Sequence, residues 1–382
     1  MAPFVGLLMV PLMAMVVFAV DLGYIKAVQV EVQNAADAAA LAGAAELMNR
    51  DWLRGMSPYD ADDDGNEDTF FDPVRGAAQA FGAANRAGGA PMTLDRNDSN
   101  SPGGDIVIGR IDRPSDPTCP MVFDKYPYNS VRVRARRTEA RNGALDLFFA
   151  PVLGVGEIGL QAFSTATLED AIGGFRITET GPQTSRLLPF ALEISYWNDV
   201  IAGNGPDLYG YDPETGEVTL AGDGIKEARL FPSRGVAPGN FATIDIGGNN
   251  NSNADIKRQI LHGPNKADFD QLGGQLALGP SGTLQLPGDT GVSAGFESEL
   301  QGIIGQKRIL PLYRAPVVGS GNNALFTIVG FAGVVITDVN LNGALSQKGI
   351  TIQPEFVWDE TAFSSDLEGT SYFVFRPLKL TR

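Results

Sequence analysis

The densest cluster of metal-binding side chains in this sequence lies in an acidic segment around Gly65, where aspartates recur at every second position. Carboxylates spaced in this way on a loop that turns at a glycine can wrap around Ca²⁺, which takes about six to eight oxygen ligands. An EF-hand would end this loop on a glutamate, and Phe71 stands there instead. The pattern indicates either a looser calcium loop or a solvated acidic loop without metal. The candidate ligands are Asp60, Asp62, Asp64, Asp68 and Asp72.

Catalytic chemistry has little support in this sequence. Its one histidine, His262, lies in a turn-like Leu-His-Gly-Pro context with no obvious acid beside it, and there is no Gly-x-Ser-x-Gly motif. Its one cysteine, Cys119, permits no internal disulfide and is predicted to be a free loop thiol. A Gly-x-Gly-x-x-Gly pattern begins at Gly154, but strand-like sequence follows it where a dinucleotide site needs a helix. We therefore predict that the protein is not an enzyme and requires no cofactor, with Ca²⁺ as the one candidate ion.

The charge balance disfavours one class of partner. The chain carries 29 Lys and Arg against 45 Asp and Glu, a formal charge of −16, and so lacks the basic field that drives binding to a phosphate backbone. Arg132, Arg134 and Arg136 alternate with small apolar residues and share one face of a predicted strand. That face is either solvated and paired with neighbouring acids or a basic patch for lipid or nucleic acid. Overall, no nucleic-acid partner is expected.

The elements that must position these residues begin with an apolar N-terminal segment. Residues 1–20 contain no charged residue, and as a helix they would span about 30 Å, the thickness of the hydrocarbon core of a bilayer. A retained membrane helix is the first interpretation. A cleaved signal peptide, with Val17-Phe18-Ala19 as its recognition site, is the alternative, although the helical pattern continues without a break to about Met48.

The helical pattern becomes rich in alanine from residue 35 to residue 45. Small side chains let another element approach a helix closely. Two interpretations fit this composition: an amphipathic helix that folds back on its own domain, or a helix that packs against helices of partner subunits.

The same helix carries an uninterrupted motif, Gln33-Asn-Ala-Ala-Asp-Ala-Ala-Ala-Leu-Ala-Gly43, preceded by Val20-Asp21-Leu22-Gly23. This sequence resembles the N-terminal signature of TadE/TadG-like Flp (Tad) pilus-assembly proteins. Members of that family usually have Arg or Lys before the apolar run, and this chain has none, so we expect its natural start to lie upstream or to have been trimmed. The resemblance implies a single-pass protein of the cytoplasmic (inner) membrane with the C-terminal bulk outside the cytoplasm. The residues we expect to mediate helix association are Gln33, Asn34, Asp37, Ala38, Leu41 and Ala42.

The predicted fold class is α+β, in three parts: a membrane helix and alanine-rich extension over 1–48, a pilin-like α+β region with the acidic loop over 49–170, and a β-rich extracytoplasmic domain over 171–382. In the middle part the sequence predicts a helix over 73–86, strands over 106–111, 130–137 and 159–168, and a short helix over 145–153.

Glycine-punctuated runs predict many short strands in the third part. The predicted strands are Leu187–Ser195, Glu217–Leu220, Thr243–Ile246, Arg308–Leu312, Leu325–Val339, Ile350–Ile352 and Tyr372–Phe375, and the predicted helices are Asp255–Leu261 and Gly295–Ile304. Residues 213–216 (Pro-Glu-Thr-Gly) predict a hairpin turn.

Two functions remain open from the sequence. The first is a membrane-anchored structural or assembly component of a Tad (Flp) pilus or secretion system. It would contact other Tad or pilin-like proteins through its helix and its extracytoplasmic part, with the bilayer as a further partner. The second is a membrane-anchored extracytoplasmic binding module that is stabilised by calcium and is not part of a pilus.

Overall fold

The computed structural model describes residues 2–55, 68–230, 241–247, 252–289, 293–319, 324–343, 347–367 and 369–381, without the side chains of residues 2–8, 10–14, 68–70, 153 and 241. The chain divides into two compact units. Unit 1 comprises Met1–Met48, Pro58–Leu168 and Leu378–Arg382, and unit 2 comprises Asn49–Ser57 and Glu169–Pro377. The three-part division expected from the sequence stays a prediction.

The helices differ greatly in length. They are α1 (Ala2–Ala45), α2 (Asp68–Ala84), α3 (Ile194–Ile201), α4 (Asn253–His262), α5 (Lys266–Gln271) and α6 (Glu297–Gln301). Three single 3₁₀ turns cover Arg50–Trp52, Ala150–Leu153 and Ala294–Phe296.

Most of the strands are short. In chain order they are β1 (Arg86–Ala87), β2 (Ala90–Pro91), β3 (Ile106–Gly109), β4 (Ser130–Arg137), β5 (Leu145–Asp146), β6 (Glu157–Ile158), β7 (Leu160–Thr167), β8 (Ile172–Phe175), β9 (Phe190–Glu193), β10 (Gly210–Tyr211), β11 (Val218–Thr219), β12 (Ala228–Leu230), β13 (Phe241–Ile244), β14 (Leu276–Ala277), β15 (Leu284–Asp289), β16 (Lys307–Val318), β17 (Ala324–Asn340), β18 (Gly349–Pro354), β19 (Val357–Trp358), β20 (Ala362–Ser364), β21 (Ser371–Tyr372), β22 (Val374–Phe375) and β23 (Lys379–Leu380). The mixture of an N-terminal helix and a β-rich C-terminal region confirms the α+β class.

Unit 1 is built on an antiparallel sheet in the order β23-β7-β4-β3. One face of β4 carries Val131, Val133 and Ala135, all fully buried. Their partners on β7 are the small residues Ala166, Ser164 and Ala162. Helix α1 packs against β4, β7 and α2. Small side chains on both surfaces allow this close approach.

The predicted membrane helix over residues 1–20 falls largely outside the described side chains. The described part of α1 near this segment carries three charged residues in quick succession, Asp21, Lys26 and Glu31. Within the part of the chain that the structure describes, we find no helix that combines the length and the apolarity needed to cross a bilayer. The described residues therefore give the predicted span no support.

Unit 2 is organised by an eight-stranded sheet in the order β12-β18-β17-β15-β13-β9-β16, with β21 beside β17 and with β16 also paired to β17. Its long strand β17 is buried along most of its length. Because side chains alternate across a strand, Ala332 and Val334 join one apolar cluster while Phe331 joins another. Helices α3, α4 and α6 supply the first cluster, and β8, β14 and α5 supply the second. Two faces of one sheet are thereby buried.

Several sequence predictions need correction in this light. The short helix predicted over 145–153 is wrong: strand β5 and a 3₁₀ turn lie there, and Pro151 lacks the N–H that a continuing α-helix would use. The strand predicted over 187–195 is confirmed at β9 (Phe190–Glu193) and is wrong at its last two residues, because α3 begins at Ile194 with the Glu193 side chain as its N-cap. Helix α2 begins at Asp68, earlier than predicted. Strand β4 and the turn between β10 and β11 are confirmed.

Candidate functional site

Helix α1 is the element that positions the predicted association residues, and it has two different faces. Its inner face packs into unit 1 and consists of small or β-branched side chains: Val28, Val32, Ala35, Ala36, Ala39, Ala40, Gly43 and Ala44. A Cβ atom added to Gly43 would lie 3.1 Å from the Val74 carbonyl oxygen and 3.2 Å from Val131 Cγ1. The alanine-rich sequence is therefore used for packing within unit 1, as the first of the two interpretations expected.

The opposite face of α1 forms a continuous stripe that unit 1 does not bury. With about 100° of rotation per residue, nine positions fall within an arc of about 80°. Six of them are exposed and the last three are half-buried. We call them the outer stripe: Val16, Val20, Gly23, Ala27, Val30, Asn34, Ala38, Leu41 and Ala45. They include one amide and otherwise only glycine, alanine, valine and leucine, so a second helix can approach closely along the stripe.

The six predicted association residues all lie in the described part of α1, and none is buried. Asn34, Ala38 and Leu41 belong to the outer stripe. Gln33 instead serves unit 1, since its Nε2 donates to Asp37 Oδ1 at 2.7 Å and to the Phe163 carbonyl at 3.0 Å. Ala42 is half-buried beside the stripe. Association of these residues with a partner stays a prediction.

The sequence analysis missed the N-terminal half of the stripe, which runs from Val16 to Val30. A helical-wheel signal was present, since these residues recur at intervals of three and four. The motif at residues 33–43 does not reveal this stripe, because four of its alanines, Ala35, Ala36, Ala39 and Ala40, face inwards.

The predicted calcium ligands lie mostly beyond what can be described. Asp60, Asp62 and Asp64 are outside the described residues, as is the side chain of Asp68. The fifth, Asp72, accepts a hydrogen bond from Arg96. No group of three or more His, Cys, Asp or Glu side chains suited to a metal ion occurs among the residues described. Calcium binding by the acidic loop stays a prediction, which calorimetry of the full chain with Ca²⁺ would test.

The structure also places the arginine face of β4, the one histidine and the one cysteine. Arg132 donates to the Pro102 carbonyl at 2.7 Å, Arg134 to Gln161 Oε1 at 2.8 Å, and Arg136 pairs with the buried Asp105 at 2.5 Å. The arginine face therefore corresponds to the solvated, internally paired alternative. His262 is the last residue of α4, and Cys119 is a free thiol in a loop, as predicted, and is buried.

Comparison with protein families gives two matches, which together cover helix α1 and most of the sheet of unit 1. A model described as Flp pilus-assembly TadE/G-like matches residues 1–46, and one described as Tad-like Flp pilus-assembly matches residues 58–166. Residues 1–46 and 58–166 are Tad-like. The resemblance predicted from the motif in α1 is thus confirmed. Neither the curated proteins nor the solved structures that were compared gave a match.

The two matches place the whole outer stripe inside the Tad-like region. They also cover α2, β3, β4 and nearly all of β7, which are the elements that hold α1 in place. Both segments of unit 2, Asn49–Ser57 and Glu169–Pro377, lie outside the two matches.

Proposed function

We propose that this protein is a membrane-associated, non-enzymatic assembly component of a Tad (Flp) pilus or secretion system, and that the outer stripe of α1 is its contact with a pilin-like partner helix. The two Tad-family matches support the role in pilus assembly. The exposed stripe is the observation that carries the contact, because a folded unit ordinarily buries such a row of apolar side chains.

The stripe has the composition that helix pairs use. Gly23, Ala27 and Ala38 leave room for close backbone approach, and no atom lies within 4 Å of a Cβ built on Gly23. Asn34 supplies an exposed amide that can hydrogen-bond across a helix interface. Each such contact contributes little free energy, and the interface depends on the close fit of the two helices. A bulky side chain should therefore disrupt it more than a polar one.

The proposed location is the cytoplasmic (inner) membrane, with the C-terminal bulk outside the cytoplasm. Two sequence features support it: residues 1–20 lack any charge, and the family resemblance expects this orientation. Protection of the chain from protease in intact cells, and its loss when the outer envelope is opened, would test the orientation.

The contact is tested with Ala38→Trp and Ala42→Trp, each purified to confirm an unchanged melting temperature. We expect Ala38→Trp to abolish pilus assembly and pull-down of the system's pilin-like subunits, because its side chain would fill the space a partner helix needs. Ala42→Trp, beside the stripe, should act less strongly. The matched control is Ala83→Trp, at an exposed alanine of α2. Normal pili and normal pull-down with Ala38→Trp would refute the proposed contact.

A further inference from the structure

The loop between β5 and β6 exposes an unusual amount of apolar surface. This segment, residues 147–156, contains no charged side chain. Val152 is 88% exposed and Phe148 64% exposed, and Phe149 and Val155 are exposed as well. Loops are ordinarily polar, and contiguous exposed apolar residues mark a surface that contacts a partner or a membrane. We call residues 147–156 the apolar loop.

The apolar loop is held at a defined place on α1. The Asp21 carboxylate, 3% exposed, accepts backbone N–H bonds from Phe148 at 2.9 Å, Phe149 at 3.0 Å and Ala150 at 2.6 Å. Burial acts to raise the pKa of Asp21, but the three N–H donors outweigh it and the pKa lies below its usual value. The rings of Tyr24 and Phe148 add an aromatic contact at 4.9 Å between centroids. The loop is thus anchored by a charged hydrogen-bond acceptor, a strong type of interaction.

The anchoring point is also where the charge-free segment of α1 ends. Immediately before Asp21, the helix exposes Met15, Val16, Phe18 and Val20. The apolar loop therefore lies beside the last uncharged turn of α1 and enlarges the exposed apolar surface there. Asp146 and Glu157, the acids at the base of the loop, lie opposite each other in the register of β5 and β6, and both are exposed.

We propose that the apolar loop inserts into the interfacial layer of a lipid bilayer, beside the N-terminal segment of α1. This inference rests on the membrane association proposed above. Phenylalanines and a tyrosine beside an uncharged helix form the composition that favours the boundary between hydrocarbon and headgroups. The charge of Asp21, which ends the uncharged segment, is buried and is satisfied by N–H groups of the loop. Insertion would fix the rotation of α1 about its axis and so determine which way the outer stripe faces.

The test places an environment-sensitive nitrobenzoxadiazole label on the full chain reconstituted with phosphatidylcholine vesicles. In a Cys119→Ser background, Val152→Cys carries the label on the loop. The control is Glu46→Cys, an exposed position just beyond the C-terminal end of α1, about 38 Å from the level of Asp21 at 1.5 Å per residue. We expect a severalfold rise in emission at position 152 when vesicles are added, quenching by nitroxide lipids, and neither change at position 46.

Each alternative outcome overturns a stated part of the account. If the chain floats with the vesicles but position 152 behaves like position 46, the loop does not insert, while membrane association stands. If the chain does not float, the proposed membrane association fails and the loop insertion fails with it. If emission at position 152 rises with protein concentration in the absence of lipid, the loop is covered by a second copy of the chain, which contradicts insertion.

Discussion

Unit 1 and unit 2 differ in where they leave apolar side chains. Unit 2 buries two apolar clusters on the faces of one sheet, including Trp197, Phe331 and Phe175. Unit 1 buries the inner face of α1 but exposes the outer stripe and the apolar loop. The Tad-family matches fall on the unit with the exposed apolar surface. We infer that unit 1 uses its exposed apolar surface for contacts outside itself, whereas the apolar side chains on the sheet of unit 2 hold that unit together.

The largest effect should come from the core of unit 2. Phe331 is fully buried and meets Phe175 edge to face at 4.8 Å between centroids. Phe331→Ala removes a buried ring and should lower the free energy of unfolding by about 3–5 kcal/mol. All three tryptophans of the chain, Trp52, Trp197 and Trp358, belong to unit 2, so their fluorescence in a denaturant titration reports this unit.

The control on the same strand is Leu325→Ala, at a partly exposed position. Its cost should be well below that of Phe331→Ala. Equal costs for the two variants would contradict the claim that unit 2 is held together by its two buried clusters.

A smaller effect should separate the two faces of α1. Gly43→Leu would force a side chain against Val74, Val131 and Ala78, and overpacking of this kind costs about 1–3 kcal/mol. Gly23→Leu, on the outer stripe, meets no atom within 4 Å of its Cβ. It should leave stability equal or raise it by up to about 1 kcal/mol through helix propensity.

The readout for these glycine variants is hydrogen exchange of peptides from β4 and β7, since unit 1 contains no tryptophan. Faster exchange in Gly23→Leu than in Gly43→Leu would mean that the inner and outer faces have been assigned the wrong way round. Gly23→Leu should in addition impair pilus assembly, because leucine would fill the stripe.

The smallest expected effect is the pH dependence of local protection at two buried carboxylates. One lies in each unit, and both accept hydrogen bonds from backbone N–H groups. Asp21 binds the N–H groups of residues 148–150 and has a lowered pKa. Glu227 binds those of Leu208 and Tyr209, but burial outweighs these bonds and its pKa is raised. As the pH falls, Glu227 should therefore be protonated first.

Because the pKa of Glu227 is raised in the folded chain, its protonation favours the folded state, and we expect protection factors at Leu208 and Tyr209 to hold or rise as the pH falls. Those at residues 148–150 should decline. Because the pKa of Asp21 is lower in the folded chain than in the unfolded chain, its stabilisation is complete above about pH 4 and is lost as the pH falls further. Asp21→Asn and Glu227→Gln should each remove the pH dependence at their own amides alone. Protection at residues 148–150 that stays unchanged well below pH 4 would show that the apolar loop is not held by an ionised Asp21.

Sequence reasoning succeeded where a local pattern fixes the structure. The alternation of arginine with valine and alanine predicted the bounds of β4, and the length of the uncharged and alanine-rich run predicted one long helix. It failed at α3, where Ile194, Tyr196 and Trp197 have strand-like propensity but Glu193 caps a helix. Tertiary packing on unit 2, which a local window does not contain, decides that segment.

The candidate site was predictable in part for the same reason. A motif of eleven residues identified α1 and the family, yet it did not distinguish the inner face from the outer stripe, because alanines occur on both. The apolar loop was read as a helix, and its bond to Asp21 joins residues more than a hundred positions apart. The periodicity of a local sequence does not predict contacts between residues so far apart.

The central claim is that one helix uses its inner face for folding and its outer stripe for assembly. The most direct measurement is photo-crosslinking in cells, with a benzophenone side chain placed in turn at Leu22, Gly23, Lys26, Ala27, Val30 and Asn34, all exposed positions of α1. We predict crosslinks to a pilin-like subunit of the same system at Gly23, Ala27, Val30 and Asn34, and few at Leu22 and Lys26, which lie off the stripe. Equal yields at all six positions, or crosslinks at Leu22 and Lys26 alone, would contradict the account.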